Sequence, residues 1–398
     1  MKRFLTLVLI STLVSTPSIQ AAPKKIAVKA LKLVTTISNK EEVAGFVVSG
    51  KTIIIFGTSV DKSFARAIDT NGQELWNIPL DPNSPSIASA GAVDNAGNIW
   101  IAGSTSLLRP TPVPSATLTP LNPDSVVNIP DRFSSDLSAV ALWKIPAGTS
   151  SPILYSAQQS APVLITAITA DKNGISLVGL TQSTKGSSGF VISANAVGDF
   201  GKPILIGTTS TTLDAVVRHS DGTLTVMGAS SETLSGKKLA GLTDGVIIRV
   251  SKTSTLLSLV RSSAPKAERN WSSATSTLLL GGSVVTSVKT ESAVTKFSNS
   301  YVPTWTYRFI STGPVLTASP GYALLASAGV IPQLGSWSPK APRALLLFFD
   351  SKGVIKSAFS AAVGQREVLG LSSTKELGVI CFTSNGESIS VYSLIETL

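Results

Sequence analysis

Residues Asp94 to Gly103 read DNAGNIWIAG, a glycine turn followed by a short β-rich run that closes on glycine. The pattern returns at Ser49 to Gly57 (SGKTIIIFG), Asp171 to Gly179 (DKNGISLVG) and Ser220 to Gly228 (SDGTLTVMG). Weaker copies stand at Thr275 to Gly281 (TSTLLLG), Ser319 to Ser327 (SPGYALLAS) and Lys375 to Phe382 (KELGVICF), bringing the count to seven. A unit repeating every few tens of residues implies stacked supersecondary pieces, none of which buries its apolar faces alone. Glycine between two apolar runs supplies the positive φ of a tight turn, so each unit is expected to open with a β-hairpin. A second half follows most hairpins, at Ala65 to Trp76, Ala139 to Ile145, Phe190 to Phe200, Gly245 to Val250, Ala293 to Phe297 and Ala344 to Gly353. A third strand, a turn and a fourth strand fit there. Four antiparallel strands in roughly 40 to 50 residues make a propeller blade, and the expected fold is an all-β, seven-bladed propeller.

The chain opens with Lys2 and Arg3, an apolar run from Phe4 to Ile10 that continues through Leu13 and Val14, then Pro17 and small residues. This is the pattern of a signal peptide over residues 1–21, with cleavage after Ala21, since a cut after Ala22 would leave Pro23 in the first mature position. The run is shorter than the roughly 20 apolar residues of a spanning helix. Residues 22–398 are therefore expected to form one exported domain, secreted or extracellular/periplasmic. Cys381 is the only cysteine, which excludes an intramolecular disulfide and a thiolate metal cage. With 43% hydrophobic and 14% charged residues, well under the roughly 25% charged that is usual, a large core is available. The mature chain carries 31 basic against 23 acidic residues, or +8. The basic residues are scattered, which with export argues against nucleic acid, while acidic wall polymers or anionic polysaccharide would still be attracted.

The strand-turn pattern at Ala67 to Trp76, AxDxxGxxxW, and the hairpin Ala92 to Thr105, AVDNAGNIWIAGST, resemble the secreted bacterial seven-bladed-propeller repeat, the SBBP repeat. The first of them is also similar to a repeat of the quinoprotein, PQQ-like propellers. The resemblance covers residues 43 to 260 and fades beyond. It implies an architecture and no particular activity.

If the first strand of each unit is innermost, hairpin turns such as Asn95-Ala96-Gly97 occupy one face of the ring. Second-to-third-strand loops share the other face with the links between blades. The long connections, 105–136, 229–244 and 328–343, all fall on that second face, in blades two, four and six. The first is rich in proline (Pro110, Pro112, Pro114, Pro120, Pro123, Pro130) and is read as a semi-rigid arm. Insertions gathered on one face of a repeat fold mark a binding face.

His219 is the only histidine and is read as a solvated turn residue, so His-based metal sites and a Ser-His-Asp triad are excluded. No Walker loop, helix-opening GxGxxG or GxSxG elbow occurs in a suitable context. Glu42, Asp214, Glu268 and Glu367 each lie six to eight residues before a hairpin turn, about one strand length, and are expected at one mouth of the central channel. Such carboxylates suit calcium, glycosidase chemistry, or hydrogen bonds to backbone N–H groups in the inter-blade links. Trp337 and Trp143 are candidate carbohydrate platforms, whereas strand tryptophans such as Trp100 and Trp143 also suit inter-blade packing. The function expected is a monomeric binding or scaffold protein that recognises a polysaccharide or protein partner at the cell envelope through its long-loop face. It would need no organic cofactor, calcium being the one ion considered. The alternative is a carboxylate-based glycosidase or lyase at the channel mouth; a quinone-dependent dehydrogenase is disfavoured because one unit alone carries the clear tryptophan motif.

Strand counting at the two ends leaves blade seven one strand short and the N-terminal Ala30 to Ile37 surplus. An open ring would expose a hydrophobic edge, so the N-terminal segment is expected to complete blade seven as its outermost strand.

Overall fold

The structure, a computed structural model, describes residues 25–38, 42–60, 62–106 and 136–394; the expected signal peptide and the Pro-rich stretch 107–135 lie outside the described residues. Among the described residues there is no helix, and hence none long and apolar enough to cross a membrane. The strands form seven blades in chain order, at 42–79, 86–158, 163–206, 211–262, 268–310, 316–360 and 367–394. Each is a four-stranded antiparallel sheet, the seventh being completed from the N-terminus. The first strands touch in succession around the ring, from Glu42–Ser49 to Ser86–Val93 and onward to Glu367–Thr374, which meets Glu42–Ser49 again. Glu42–Ser49 and its counterparts are therefore innermost, as expected.

Burial explains why the second and third strands read as unbroken apolar runs. Ile99–Thr105 is buried along its whole length, because both faces of a blade are covered by neighbours. The fourth strands, such as Glu74–Pro79 and Ile153–Gln158, alternate exposed and half-buried residues. Between every pair of adjacent blades lies an apolar cluster, and blades four and five share a second, smaller one of Ala264, Ala267, Val284 and Ala293. Ile54, Phe56, Ile101 and Trp143 join blades one and two, and Trp100, Leu142, Ile165 and Phe190 join two and three. Trp100 and Trp143 are thus inter-blade packing groups.

Lys32–Ser38 pairs antiparallel with Ser388–Leu394, from Lys32↔Ser393 to Ser38↔Ser388, and is the outermost strand of blade seven. The ring closes as the strand count required. Val48, Ile53, Phe382 and Val391 form the seventh cluster, between blades seven and one, with Val34 and Ile37 packed against it. One feature goes beyond the expectation: Val28–Ala30 adds a parallel fifth strand to the edge of blade six, on Ala358, Phe359 and Ser360. Leu31 is then buried between blades six and seven.

The closing glycine of the repeat has a steric cause. In six of the seven blades the innermost strand carries a β-bulge, which leaves Ala44, Ser89, Thr166, Asp214, Ser272 and Leu369 unpaired. A Cβ on the facing residue would lie 2.0 Å from the Glu42 carbonyl oxygen at Gly57, 1.7 Å from that of Ile87 at Gly103 and 1.9 Å from that of Leu164 at Gly179. In blade five the glycine in this place is Gly282, 2.0 Å from the Asn270 oxygen, and not the Gly281 of the sequence pattern. Blade six has an innermost strand of three residues, Leu316–Ala318, with no bulge in it. In blade seven Thr383 takes the place, its hydroxyl donating to Gln365 Oε1 at 2.7 Å.

The aspartate shared by the two motif copies also has a local role. Asp69 Oδ1 accepts the N–H groups of Asn71 and Gln73, and Asp94 Oδ1 those of Ala96 and Asn98, while Asp94 Oδ2 accepts the Trp100 indole N–H at 2.9 Å. The aspartate of each motif closes its own turn.

Two outcomes follow. Deleting residues 25–38 strips the buried Leu31 and the half-buried Val34 and Ile37 from their clusters, together several kcal/mol where one fully buried side chain contributes about 1.5–3 kcal/mol. That sum rivals the marginal stability of a folded domain, so calorimetry should show no cooperative transition; a transition within a few degrees of the intact protein would refute the closure role. Gly103→Ala should destabilise by about 3 kcal/mol, whereas Gly313→Ala, where an added Cβ has nothing within 4 Å, should be neutral in urea unfolding.

Candidate functional site

The four carboxylates do not form one group. Glu42, Glu268 and Glu367 open the innermost strands of blades one, five and seven and are exposed at the end of the ring from which the long loops rise. Their side chains make no hydrogen bond or ion pair among the described residues. Glu42 and Glu367 share a row in adjacent blades, paired with Thr58 and Ser384 respectively. Asp214 is placed differently: it is the fourth residue of Thr211–Arg218, the bulge residue, and is partly buried. The expectation that it stands at the mouth is corrected by turn length. Blade one turns in two residues between Ser49 and Thr52, blade four in five between Arg218 and Leu224, so equal spacing to the turn glycine reaches different depths. Among the described residues no three His, Cys, Asp or Glu side chains are grouped to hold a metal ion.

Asp214 sits in a row of inter-blade hydrogen bonds. Ser89, the bulge residue of blade two, donates to the Ile165 carbonyl of blade three at 2.6 Å, and Thr166 of blade three donates to the Leu213 carbonyl of blade four. At the same place in blade four Asp214 has a carboxyl group, which donates only when protonated. Burial pushes its pKa up to about 6, against a hydrogen bond from Thr212 that favours the charge.

The carboxylate that does clamp a link between blades is Glu232, which sequence reasoning missed. It accepts the backbone N–H groups of Thr208, Thr209 and Ser210 and the Thr211 hydroxyl at 2.7 Å, where blade three passes into blade four. Burial opposes its charge, yet the Thr211 hydroxyl and the three N–H groups outweigh it and hold its pKa at about 2. The signal available in the sequence was a run of threonines and serine, 208–212, meeting one glutamate in a long loop.

Trp337 is not a platform. Its side chain is buried in the cluster between blades five and six, and its indole N–H donates to Ser327 Oγ at 2.9 Å. It belongs instead to the set of anchors, with Ile331 and Leu334, that docks the loop 328–342 onto the ring. Leu334 also bridges to Ile26 of the N-terminal segment. The loop 231–243 is docked likewise by Leu234, with Lys237 donating to the Leu259 carbonyl. His219 is half-buried rather than solvated: its Nε2 lies 2.7 Å from Thr225 Oγ1, which in turn meets the Tyr301 hydroxyl. Burial lowers its pKa, and nearby Arg249 lowers it further. Cys381 is fully buried, and burial pushes its thiol well above the usual range.

One cavity of about 370 Å³ lies along the N-terminal segment and the outer strand of blade six, lined by Lys25, Lys29 and Lys356 among others, and three more lie between blades at the opposite, hairpin-turn face. One of about 310 Å³ between blades one and two is lined by Ser49, Thr52, Trp76, Gly97 and Ser150 over a floor of Ile54 and Ile99. A second of about 300 Å³, between blades seven and one, includes Lys32, Asn71 and Leu377. A third of about 70 Å³, between blades three and four, includes Arg218 and Lys252.

The two shifted carboxyls predict opposite pH behaviour. An acid with a raised folded-state pKa keeps its proton where the unfolded chain has lost it, so stability falls as pH rises from about 4 to about 6. Asp214→Asn should therefore stabilise the protein at pH 7.5, by up to the order of 3 kcal/mol, with the advantage vanishing below pH 4. Equal gains at both pH values would mean that the carboxyl is not the cause. Glu232→Gln should show the reverse: its lowered pKa adds stability above the unfolded value, lost as pH falls towards 2, so the variant's deficit in thermal unfolding should be largest at neutral pH.

No family model and no curated protein matches the chain. Among solved structures it is similar to YCF48 bound to a D1 peptide, at 11% identity and a TM-score of 0.50, with 94% of this chain and 99% of that chain covered. It is also similar to Sqt1 of Chaetomium thermophilum, at 11% identity and 0.49, covering 91% and 98%, and to the WD40 domain of Toxoplasma gondii coronin, at 9% and 0.49, covering 94% and 90%. At such identities likeness speaks to fold alone, and the fold is the seven-bladed β-propeller.

Proposed function

We propose that the protein is an exported, non-catalytic scaffold that holds a protein partner on its long-loop face, a propeller of the SBBP type defined by architecture rather than by activity. The observation that carries this reading is the fixing of the long loops in advance. The loops 231–243 and 328–342 are held by Leu234, Ile331, Leu334 and Trp337 in the inter-blade clusters. Loops ordered before binding lose little conformational entropy when a partner arrives, which favours recognition by a rigid surface. Val330, 66% exposed next to the anchor Ile331, presents an apolar contact to that partner. The structural likeness to YCF48, itself seen with a peptide, supports a propeller of this size serving as a protein-binding surface. A glycosidase reading would require two carboxylates converging on one bond. Glu42, Glu268 and Glu367 stand exposed on three different blades, and Asp214 lies deeper in another.

A photocrosslinking residue placed at Val330 or Lys238 on the long-loop face, and at Lys51 or Lys352 on the hairpin face, tests the reading in envelope preparations. One protein adduct of constant mass is expected from the first pair only. Adducts from the hairpin face alone, or none from either face, would reject it. Cell fractionation should find the protein outside the cytoplasm with its first residue at Ala22.

A further inference from the structure

The tryptophan of the AxDxxGxxxW motif, Trp76, has a counterpart that shows what its cleft lacks. Trp76 pairs with Ala67 on the fourth strand of blade one, and Trp305 pairs with Lys296 at the same place in blade five. In blade five the next blade covers the indole. Trp305 stacks on Phe349 at a centroid distance of 5.2 Å, and its N–H donates to the Ser351 carbonyl at 3.3 Å. Gly353, at φ +83°, lies so close over the ring that a Cβ there would be 2.7 Å from it. Around Trp76 each of these is missing. Its indole has no aromatic partner and no hydrogen bond among the described residues, and the corresponding turn glycine of blade two, Gly148, has nothing within 4 Å of its Cβ position. The space left is the cavity of about 310 Å³ between blades one and two.

The lining of that cavity defines its chemistry. One side is the half-buried Trp76 ring and the floor is the buried pair Ile54 and Ile99, so a ligand needs an apolar face. The remaining side chains are small and uncharged: Ala147 and the hydroxyl-bearing Ser49, Thr52, Thr149 and Ser150. Ser49 and Thr149 already donate to the Gly97 and Pro146 carbonyls, which leaves their oxygens as acceptors. The hydroxyls of Thr52 and Ser150 have no hydrogen bond among the described residues, and with the Trp76 N–H they offer unspent donors. The two inter-blade clefts of about 300 and 70 Å³ carry a cation, Lys32 in one and Arg218 with Lys252 in the other, whereas the lining of this one has none. An anion would find no counter-charge here, and a purely apolar ligand would leave the hydroxyls without partners.

We propose that this cleft binds the ring of a neutral sugar, its C–H face stacked on Trp76 and its hydroxyls bonded to Thr52, Ser150 and the indole N–H. The volume suits one small ring at the lower end of ligand-site sizes, about 300 Å³. The site is separate from the partner surface on the opposite face, so either reading stands if the other fails.

The test is a glycan array of neutral and acidic oligosaccharides probed with the purified protein, followed by titration calorimetry on the best ligand. Binding to neutral glycans is expected. Affinity should fall at least about tenfold in Trp76→Ala and several-fold in Thr52→Val, and should be unchanged in Trp305→Ala. Because Trp76 also packs on the core between blades one and two, Ser150→Trp provides a second variant: it blocks the mouth from an exposed position and should abolish binding with the melting temperature unchanged. Preference for acidic glycans, absence of binding to any glycan, or full affinity in Ser150→Trp would each overturn the proposal.

Discussion

A blade of this protein cannot hide either of its faces by itself, and everything else in the structure follows from that constraint. The second and third strands are apolar on both sides, so burial is complete only when a neighbour stands on each flank. Apolar clusters at all seven junctions between blades meet the requirement, provided the ring is closed. The cluster between blades seven and one is assembled from the two ends of the chain. Its formation orders residues more than 300 apart, the N-terminal strand at 32–38 and the C-terminal strand at 388–394. Loop-closure entropy grows only slowly with length, whereas an unclosed ring would expose two whole apolar flanks.

The same economy shapes the inner wall. A bulge in six of the seven innermost strands tightens the twist there and sets one residue of the strand out of the ladder. Where that residue is Ser89 or Thr166, the hydroxyl reaches a carbonyl across the gap, tying blades together where apolar packing ends. The facing strand must then tolerate a carbonyl oxygen where a Cβ would stand. That is why glycine closes the repeat at 57, 103, 179 and 228. The glycine that makes the repeat visible in the sequence is therefore the imprint of the bulge on the partner strand.

This explains which parts of the molecule were legible in advance. Turn glycines, closing glycines and apolar run lengths each answer to local backbone geometry, so blade number, strand order and ring closure could all be read from them. Side-chain placement around the ring answers to turn length, which varies from blade to blade. Asp214 and Glu42 stand eight residues before Gly222 and Gly50 respectively, yet one lies in a bulge and the other at a strand start, because their turns differ by three residues. Gly281 was mistaken for Gly282 for a similar reason, since two glycines stand side by side and only the bulge register distinguishes them. Trp337 lay in a long loop, where a surface role was the natural reading; its burial depends on Ile331 and Leu334 beside it and on blades five and six beneath. Glu232 had no motif to mark it, because its partners are backbone N–H groups that any sequence possesses.

The two faces of the ring answer to different demands because strand order sends the first-to-second and third-to-fourth turns to one side, and the second-to-third loops and the links between blades to the other. Links between blades carry the load of holding neighbours in register, and the long loops next to them are recruited to that task by Glu232, Leu234, Trp337 and Asp244, whose carboxylate takes the Ala240 and Gly241 N–H groups and pairs with Arg261. The hairpin face bears no such load. Its turns are closed by their own aspartates or serines, as at Asp69, Asp94, Asp350 and Ser251, and need little from their neighbours. A turn that is self-sufficient is free either to lie down on the adjacent blade, as Gly353 does on Trp305, or to stand away from it, as Gly148 does from Trp76. Clefts can therefore open between blades on this face without weakening the ring, whereas on the opposite face a gap of the same size would remove the contacts that hold successive blades together.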